Sequence, residues 1–257
     1  MIEVAVFVFG AIIGSFFNVV LLRKNTGESV IFTGSRCFSC GKKLSWLELI
    51  PILSFLMQRG RCSPPAGGCG SKISWQYPVV EFLVGLLAVL IHLETKFPSG
   101  NLVSKLFYFA AFSTLFLIVA YDFRTKIIDT HLLYIFGVFS LVEFVRAGGY
   151  ANNLISSFLI ALFFYFLWRF SGGRWMGRGD ANLAFFTSLF LGWPLNLAAL
   201  FVSFWLGGLA GFFLLLFRRR DFSLKSEIPF GPFLATSTFS VWYFADFFSE
   251  LTRLFVL

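Results

Sequence analysis

Two carboxylates stand where a chain this apolar rarely carries charge. Asp122, in "VAYDFRTKIID", closes one long apolar run, and Asp180, in "GRWMGRGDANLAFF", opens another. An ionisable side chain at or inside a bilayer is costly, and it is kept mainly where it faces a polar cavity or another side chain. Two carboxylates brought together share a proton, so one can activate a water while the other protonates or polarises a carbonyl. That is aspartyl hydrolase chemistry, which needs no metal, serine or histidine. No G-x-S-x-G or H-E-x-x-H stretch supports those alternatives. Other uses of the pair stay open. Asp180 can cap the helix that begins "ANLAFF", Asp122 can be a solvated charge beside Arg124 and Lys126, and intramembrane carboxylates also relay protons in transporters. Asp129, seven residues after Asp122, shares its helical face and is the second choice for the first member.

A second constellation is made of all four cysteines, Cys37, Cys40, Cys62 and Cys69, in the pattern C-x2-C-x21-C-x6-C. Four thiolates can close a tetrahedral structural zinc site, and a short insert with little apolar content gains its fold from such a metal. Disulfides are the weaker reading on the cytosolic side, where thiols stay reduced. No paired histidines follow on a helix, so a nucleic-acid-binding finger is not indicated. His92 and His131 sit at the ends of apolar runs and read as interfacial rather than as ligands.

The elements that must position these groups are membrane spans. Of 257 residues, 58% are hydrophobic and only 13% charged, and mean hydropathy is +0.81, outside the range of an ordinary soluble domain. Bilayer-length apolar stretches recur at Ile2 to Leu22, Tyr77 to Leu93, Leu102 to Ala120, His131 to Val145, Leu154 to Trp168, Ala181 to Leu191, Asn196 to Phe217 and Ile228 to Phe248. The expected fold is therefore an all-α polytopic membrane protein of about eight transmembrane helices. The division between the sixth and seventh rests on the turn "GWPLN". The opening segment lacks a basic n-region and a small-residue cleavage site, and it reads as a retained first span.

A net charge of +8 would suggest a nucleic-acid partner in a soluble protein, yet here the basic residues gather in a few loops. With the N-terminus outside, the loops 23–76, 121–130, 169–182 and 218–227 face the cytosol and hold 17 of the 21 Lys and Arg, which picks this orientation. Both termini are then outside, and no nucleic acid is expected as a partner. Three parts follow: 1–22 as the first transmembrane helix, 23–76 as a cytosolic cysteine-rich insert, and 77–257 as the transmembrane body carrying the carboxylates. The tripeptide RGD at Arg178 to Asp180 lies in a cytosolic loop, which excludes an adhesion role.

These residues resemble the bacterial type IV prepilin peptidases, GxGD-type membrane aspartyl proteases. "GSFFNVVLLR", "CFSCGKKLSWLELIPILSFLMQRGRC", "SWQYPVVEFLVG", "MGRGDANL" and "IPFGPFLA" follow in the family's order along nearly the whole chain. The resemblance implies an inner-membrane enzyme that removes the leader of a type IV prepilin or pseudopilin after a glycine, on the cytosolic side. It further implies N-methylation of the new terminus with S-adenosylmethionine, in the service of a type IV pilus or type II secretion system. By that match Asp122 and Asp180 are the catalytic pair. Gly177 and Gly179 would let the backbone turn closely, Pro229, Gly231 and Pro232 would line the substrate cleft, and Cys37, Cys40, Cys62 and Cys69 would hold Zn2+. Glu81 is a candidate contributor to methyl transfer or, equally, a carboxylate pairing with the basic insert. The chain departs from the family pattern in its six-residue last cysteine gap, in Asn182 where lysine is common, and in "IID" after Asp122. Prepilin and membrane lipid are the expected partners. The competing classes are a proton-coupled transporter and a catalytically silent assembly anchor with a zinc module.

Overall fold

The computed structural model describes all residues except 25–28, 31–33, 38, 63–68, 95–100, 175, 217–228 and 254–257. The expected start of the last span at Ile228, the basic loop 218–227, Lys96 and the interior of "CSPPAGGC" lie outside the described residues. The rest is nearly all helix: α1 (Ile2–Arg23), α2 (Leu53–Met57), α3 (Gln76–Leu93), α4 (Leu102–Thr125), α5 (Thr130–Arg146), α6 (Ala151–Ser171), α7 (Arg178–Leu191), α8 (Leu195–Leu216), α9 (Gly231–Tyr243) and α10 (Ala245–Arg253), with a short 3-10 turn at Trp46–Leu49. Among the described residues, five helices, at Ile2–Arg23, Gln76–Leu93, Leu102–Thr125, Ala151–Ser171 and Leu195–Phe213, are long and apolar enough to cross a membrane.

Two expected spans differ in shape. The last is interrupted, because α9 stops at Tyr243 and Phe244 leaves helical geometry before α10. The third does not end at Ala120. It runs on to Thr125, so Asp122 belongs to its last turn rather than to a following loop. The break expected at "GWPLN" falls between α7 and α8, where Gly192 adopts a φ of +71° that ends α7.

The chain divides into two compact units, Met1–Ser113 and Thr114–Leu257. In the first, α1 and α3 lie side by side, and their approach depends on small residues. A Cβ on Gly14 would come within 2.8 Å of the Glu81 Cα, and one on Gly10 within 2.7 Å of the Ala88 Cβ. In the second unit α7 is the central helix and packs against α5, α6, α8 and α9. Being wrapped by protein rather than lipid, α7 needs neither full span length nor continuous apolarity. Its buried set mixes Asp180, Thr187 and Ser188 with Leu183, Leu189 and Phe190. Thr187 satisfies its hydroxyl within the helix by donating to the Leu183 carbonyl at 2.9 Å.

Candidate active site and cysteine cluster

Asp122 is fixed by the way α4 ends. Lys126 takes a left-handed φ of +56° and its N–H donates to the Asp122 carbonyl at 2.7 Å. The Thr125 hydroxyl donates to the Tyr121 carbonyl at 2.9 Å and accepts from the Ile127 N–H. The chain then enters α5, whose first turn is capped by Asp129: its Oδ1 accepts from the Leu132 N–H at 2.9 Å. Asp129 is thus engaged as a helix cap and is not among the residues that line the cavity below.

Asp180 is the third residue of α7 and is 5% exposed. Its Oδ2 accepts from the Gly177 N–H at 2.9 Å, satisfying one of the free amides at the helix start. Gly177 is in ordinary extended geometry, φ −78° and ψ 155°, and an added Cβ would meet nothing closer than Asp180 itself at 3.6 Å. The steric demand is at Gly179, where a Cβ would lie 3.0 Å from the Ile128 Cβ. That close approach lets the start of α7 settle onto the turn after α4.

Asp122 and Asp180 both line one cavity of about 280 Å³. Its wall includes Lys126, Ile127 and Ile128 from the α4–α5 turn, Gly173, Arg174, Met176 and Gly177 from the segment before α7, Arg178 and Gly179 from the first turn of α7, and Pro229 and Phe230 before α9. Asp122 is 3% exposed and its Oδ2 has no hydrogen-bond partner among the described residues. The same oxygen lies 2.7 Å from where a Cβ on Gly231 would be. Of the three residues expected in the cleft, Pro229 lines the cavity, Gly231 abuts the Asp122 carboxylate, and Pro232 is buried in the first turn of α9. Three cations also line the cavity: Lys126, Arg174 and Arg178. Arg174 Nε donates to the Ser171 carbonyl at 3.1 Å, and the Arg178 guanidinium sits 5.8 Å from the centroid of the Trp168 ring.

The cysteines lie in the other unit, on two matching knuckles. In the first, Arg36 and Lys43 form an isolated bridge, and the Gly41 N–H donates to the Cys37 carbonyl at 2.9 Å. In the second, Arg61 and Lys72 form the bridge, and the Gly70 N–H donates to the Cys62 carbonyl at 3.2 Å. Gly41 and Gly70, each directly after a cysteine, have φ of +72° and +71°. The same frame therefore closes around a two-residue and a six-residue gap. The four sulfurs lie within 4.8 Å of one another, with Cys37 and Cys69 Sγ 4.0 Å apart. A tetrahedral Zn–S bond of about 2.3 Å requires sulfurs about 3.8 Å apart, so the donor set fits a thiophilic metal. Burial works against ionising Cys37, but amide donation from Cys40 and Ser39 outweighs it and brings that thiol down to about 6, towards the thiolate a metal needs. If the cluster holds zinc, Cys62→Ser should lower it from about one equivalent to a small fraction, read by metal analysis of the purified protein.

Glu81 sits between the insert and the paired helices. It is buried on α3, and its Oε2 accepts from the Ile52 N–H at 2.7 Å. Ser15 on α1 hydrogen-bonds to the same carboxyl. Ile52 has a φ of +62°, rare for a β-branched residue, and the Leu53 N–H reaches back to the Pro51 carbonyl at 2.6 Å across this γ-turn. A carboxyl that holds such a turn is worth about 1.5–3 kcal/mol as a charge-assisted hydrogen bond. Glu81→Ala should make the insert more susceptible to trypsin at Arg59 and Arg61. Glu81→Gln, whose amide oxygen can still accept, should stay closer to the parent protein.

Fold and site together define a multi-helix membrane protein in which two buried carboxylates open onto one cavity. Residues 109–212, which contain both aspartates, match the type IV leader peptidase family, and residues 8–95 match the bacterial peptidase A24 N-terminal domain. The chain is 30% identical to a prepilin leader peptidase/N-methyltransferase of Bacillus subtilis (strain 168), over 93% of each chain. It is 28% identical to one of Aeromonas hydrophila, over 94% of this chain and 93% of that one. A relative of the same name from Myxococcus xanthus (strain DK1622) is 47% identical, over 34% of this chain and 25% of its own. No solved structure matches the chain. The chain belongs to the type IV leader peptidase family and is an enzyme of that class.

Proposed function

We propose that the chain is a membrane aspartyl endopeptidase that removes the leader of a type IV prepilin or pseudopilin after a glycine and N-methylates the new terminus. The observation that carries the hydrolytic half is the single cavity shared by Asp122 and Asp180. The prepilin substrate and the methyl transfer rest on the name that the full-length relatives bear.

In the reaction one carboxylate takes a proton from a water as its oxygen bonds to the scissile carbonyl carbon. The other, protonated, donates to the carbonyl oxygen. Collapse of the tetrahedral intermediate breaks the C–N bond, with a proton passing to the leaving amine; the products are the leader's carboxylate and a free N-terminus. Asp180, held by the Gly177 amide, has a fixed position, and the Asp122 Oδ2 is free of protein partners among the described residues. Gly179 gives the close backbone approach that the pair requires, and Pro229 and Gly231 border the substrate cleft.

The eight-span arrangement, with α5, α7 and the α9–α10 pair as the shorter crossings, belongs to the same reading. So does the division into 1–22, 23–76 and 77–257. The bias of Lys and Arg puts the carboxylates and the cysteine insert on the cytosolic side of the inner membrane, with both termini outside. The four cysteines hold a structural Zn2+. S-adenosylmethionine is the methyl donor the family name implies. Glu81, put forward for that half, has its carboxyl taken by Ile52 and Ser15, so no described residue is assigned to the donor and no step is routed through it.

The test is to incubate purified protein with a prepilin and S-adenosylmethionine and weigh the products. A mature pilin that begins after the glycine and carries one added methyl group is expected. An intact prepilin would overturn the peptidase reading, and a cleaved but unmethylated one would overturn the transferase reading.

A further inference from the structure

The insert carries an apolar surface that neither the carboxylates nor the cysteines explain. Leu53, Leu56 and Met57 of α2 are 55%, 61% and 74% exposed, and Trp46 in the 3-10 turn is 74% exposed. On the opposite side of α2, Phe55 is buried and packs on Trp75, ring centroids 4.8 Å apart. A short helix with one face turned in and Leu53, Leu56 and Met57 at i, i+3 and i+4 turned out needs something to cover it.

The covering is indicated by α3. Trp75 caps that helix, and Trp75, Val79, Phe82, Leu83 and Leu86 form one exposed apolar face at helical spacing. On a span this face meets lipid. It ends at Trp75, whose ring is in contact with α2, so the lipid-facing stripe continues onto the insert. The depth agrees. Ile52, at the start of α2, is bonded to Glu81, five residues into α3 and roughly 7 Å along its axis, so α2 begins beside the span rather than beyond it. The surrounding charge agrees as well: Lys43, Arg59, Arg61 and Lys72 are exposed in the insert, matching anionic headgroups, and tryptophans favour the interface.

We propose that the 3-10 turn and α2, residues 46–57, form a monotopic anchor that dips the cysteine insert into the cytoplasmic leaflet, clamped at that depth by Glu81. The proposal rests on the membrane reading of α3 and not on the peptidase assignment. Its function would be to fix the insert against the bilayer surface.

The test uses full-length protein in nanodiscs of phosphatidylethanolamine and phosphatidylglycerol doped with a lipid that carries a photoreactive acyl chain, with labelled peptides located by mass spectrometry. Labels on residues 46–57 alongside labels on Val79 and Phe82 are expected. The paired variant Leu56→Asp with Met57→Asp should lose the insert label while keeping that on α3. Labelled α3 with unlabelled 46–57 overturns the proposal. Cross-linking of 46–57 to a second copy or to added prepilin in place of lipid also overturns it, by making the surface a protein interface. If α3 itself stays unlabelled, the membrane reading falls and takes the anchor with it. Leader cleavage is not read in any arm, so failure of the peptidase assignment remains a separate result.

Discussion

Asp122→Asn and Asp180→Asn should each abolish leader removal, with a rate loss of about a thousandfold or more, while the protein stays folded. Removing a positioned acid or base costs about 10²–10⁴ in rate. In a pair that shares one proton, either loss removes both roles. The double variant should therefore be no worse than either single one, which is how residues acting as a unit behave. Folding should survive, because an asparagine oxygen at position 180 can still accept from the Gly177 amide that Asp180 now holds at 2.9 Å. At position 122 the buried Oδ2 has no partner among the described residues to lose. The measurement is cleavage of a prepilin by variants matched for expression and melting temperature. A pilin that is already cleaved should still be methylated. Retained cleavage in either single variant removes that residue from the mechanism, and proton-coupled flux without cleavage would favour a transporter.

The two candidate carboxylates are legible in the sequence, because charge is conspicuous in so apolar a chain. Asp122 and Asp180 stood out against their runs, and hydropathy located the helices. The central helix α7 was harder to bound, since its surroundings are protein and its sequence is correspondingly short and mixed. The end of α4 lies beyond the end of its apolar stretch for a related reason. A span's apolar stretch stops at the interface, whereas its backbone hydrogen bonds continue through Asp122 to Thr125. The unusual last cysteine gap proved compatible with the first, because the frame depends on a glycine after the second cysteine rather than on loop length. No pattern announced that Ile52 would take a positive φ or that Glu81 would hold it. Such a contact depends on tertiary approach, which leaves no periodic trace. Ile128 behind Gly179 was invisible for the same reason.

Gly231→Ala should impair cleavage by about a hundredfold, although it adds one methyl group and removes no reactive atom. Its Cβ would stand 2.7 Å from the Asp122 Oδ2, closer than any such contact is tolerated, with the Leu183 Cδ2 3.6 Å away on another side. Gly231 is the first residue of α9 and Pro232 follows it at once, which restricts local backbone adjustment. The carboxylate is therefore the part that yields. A shift of about 1 Å in a reacting group is enough to cost about 10² in rate. The loss should appear in kcat rather than KM, because under the proposed mechanism the side chain that moves is a reacting group and not one that grips the substrate. Thermal stability should change little, since the closest crowded group is the end of one side chain, which can move aside without displacing backbone. Gly177→Ala is the control within the same site: its Cβ meets nothing closer than the Asp180 Oδ2 at 3.6 Å and its φ is ordinary, so it should retain most activity. Equal loss in the two variants would mean that the site tolerates no added bulk anywhere. A loss confined to Gly231→Ala would mark that glycine as the residue that leaves room for Asp122, and so as part of the hydrolytic geometry rather than of the helix.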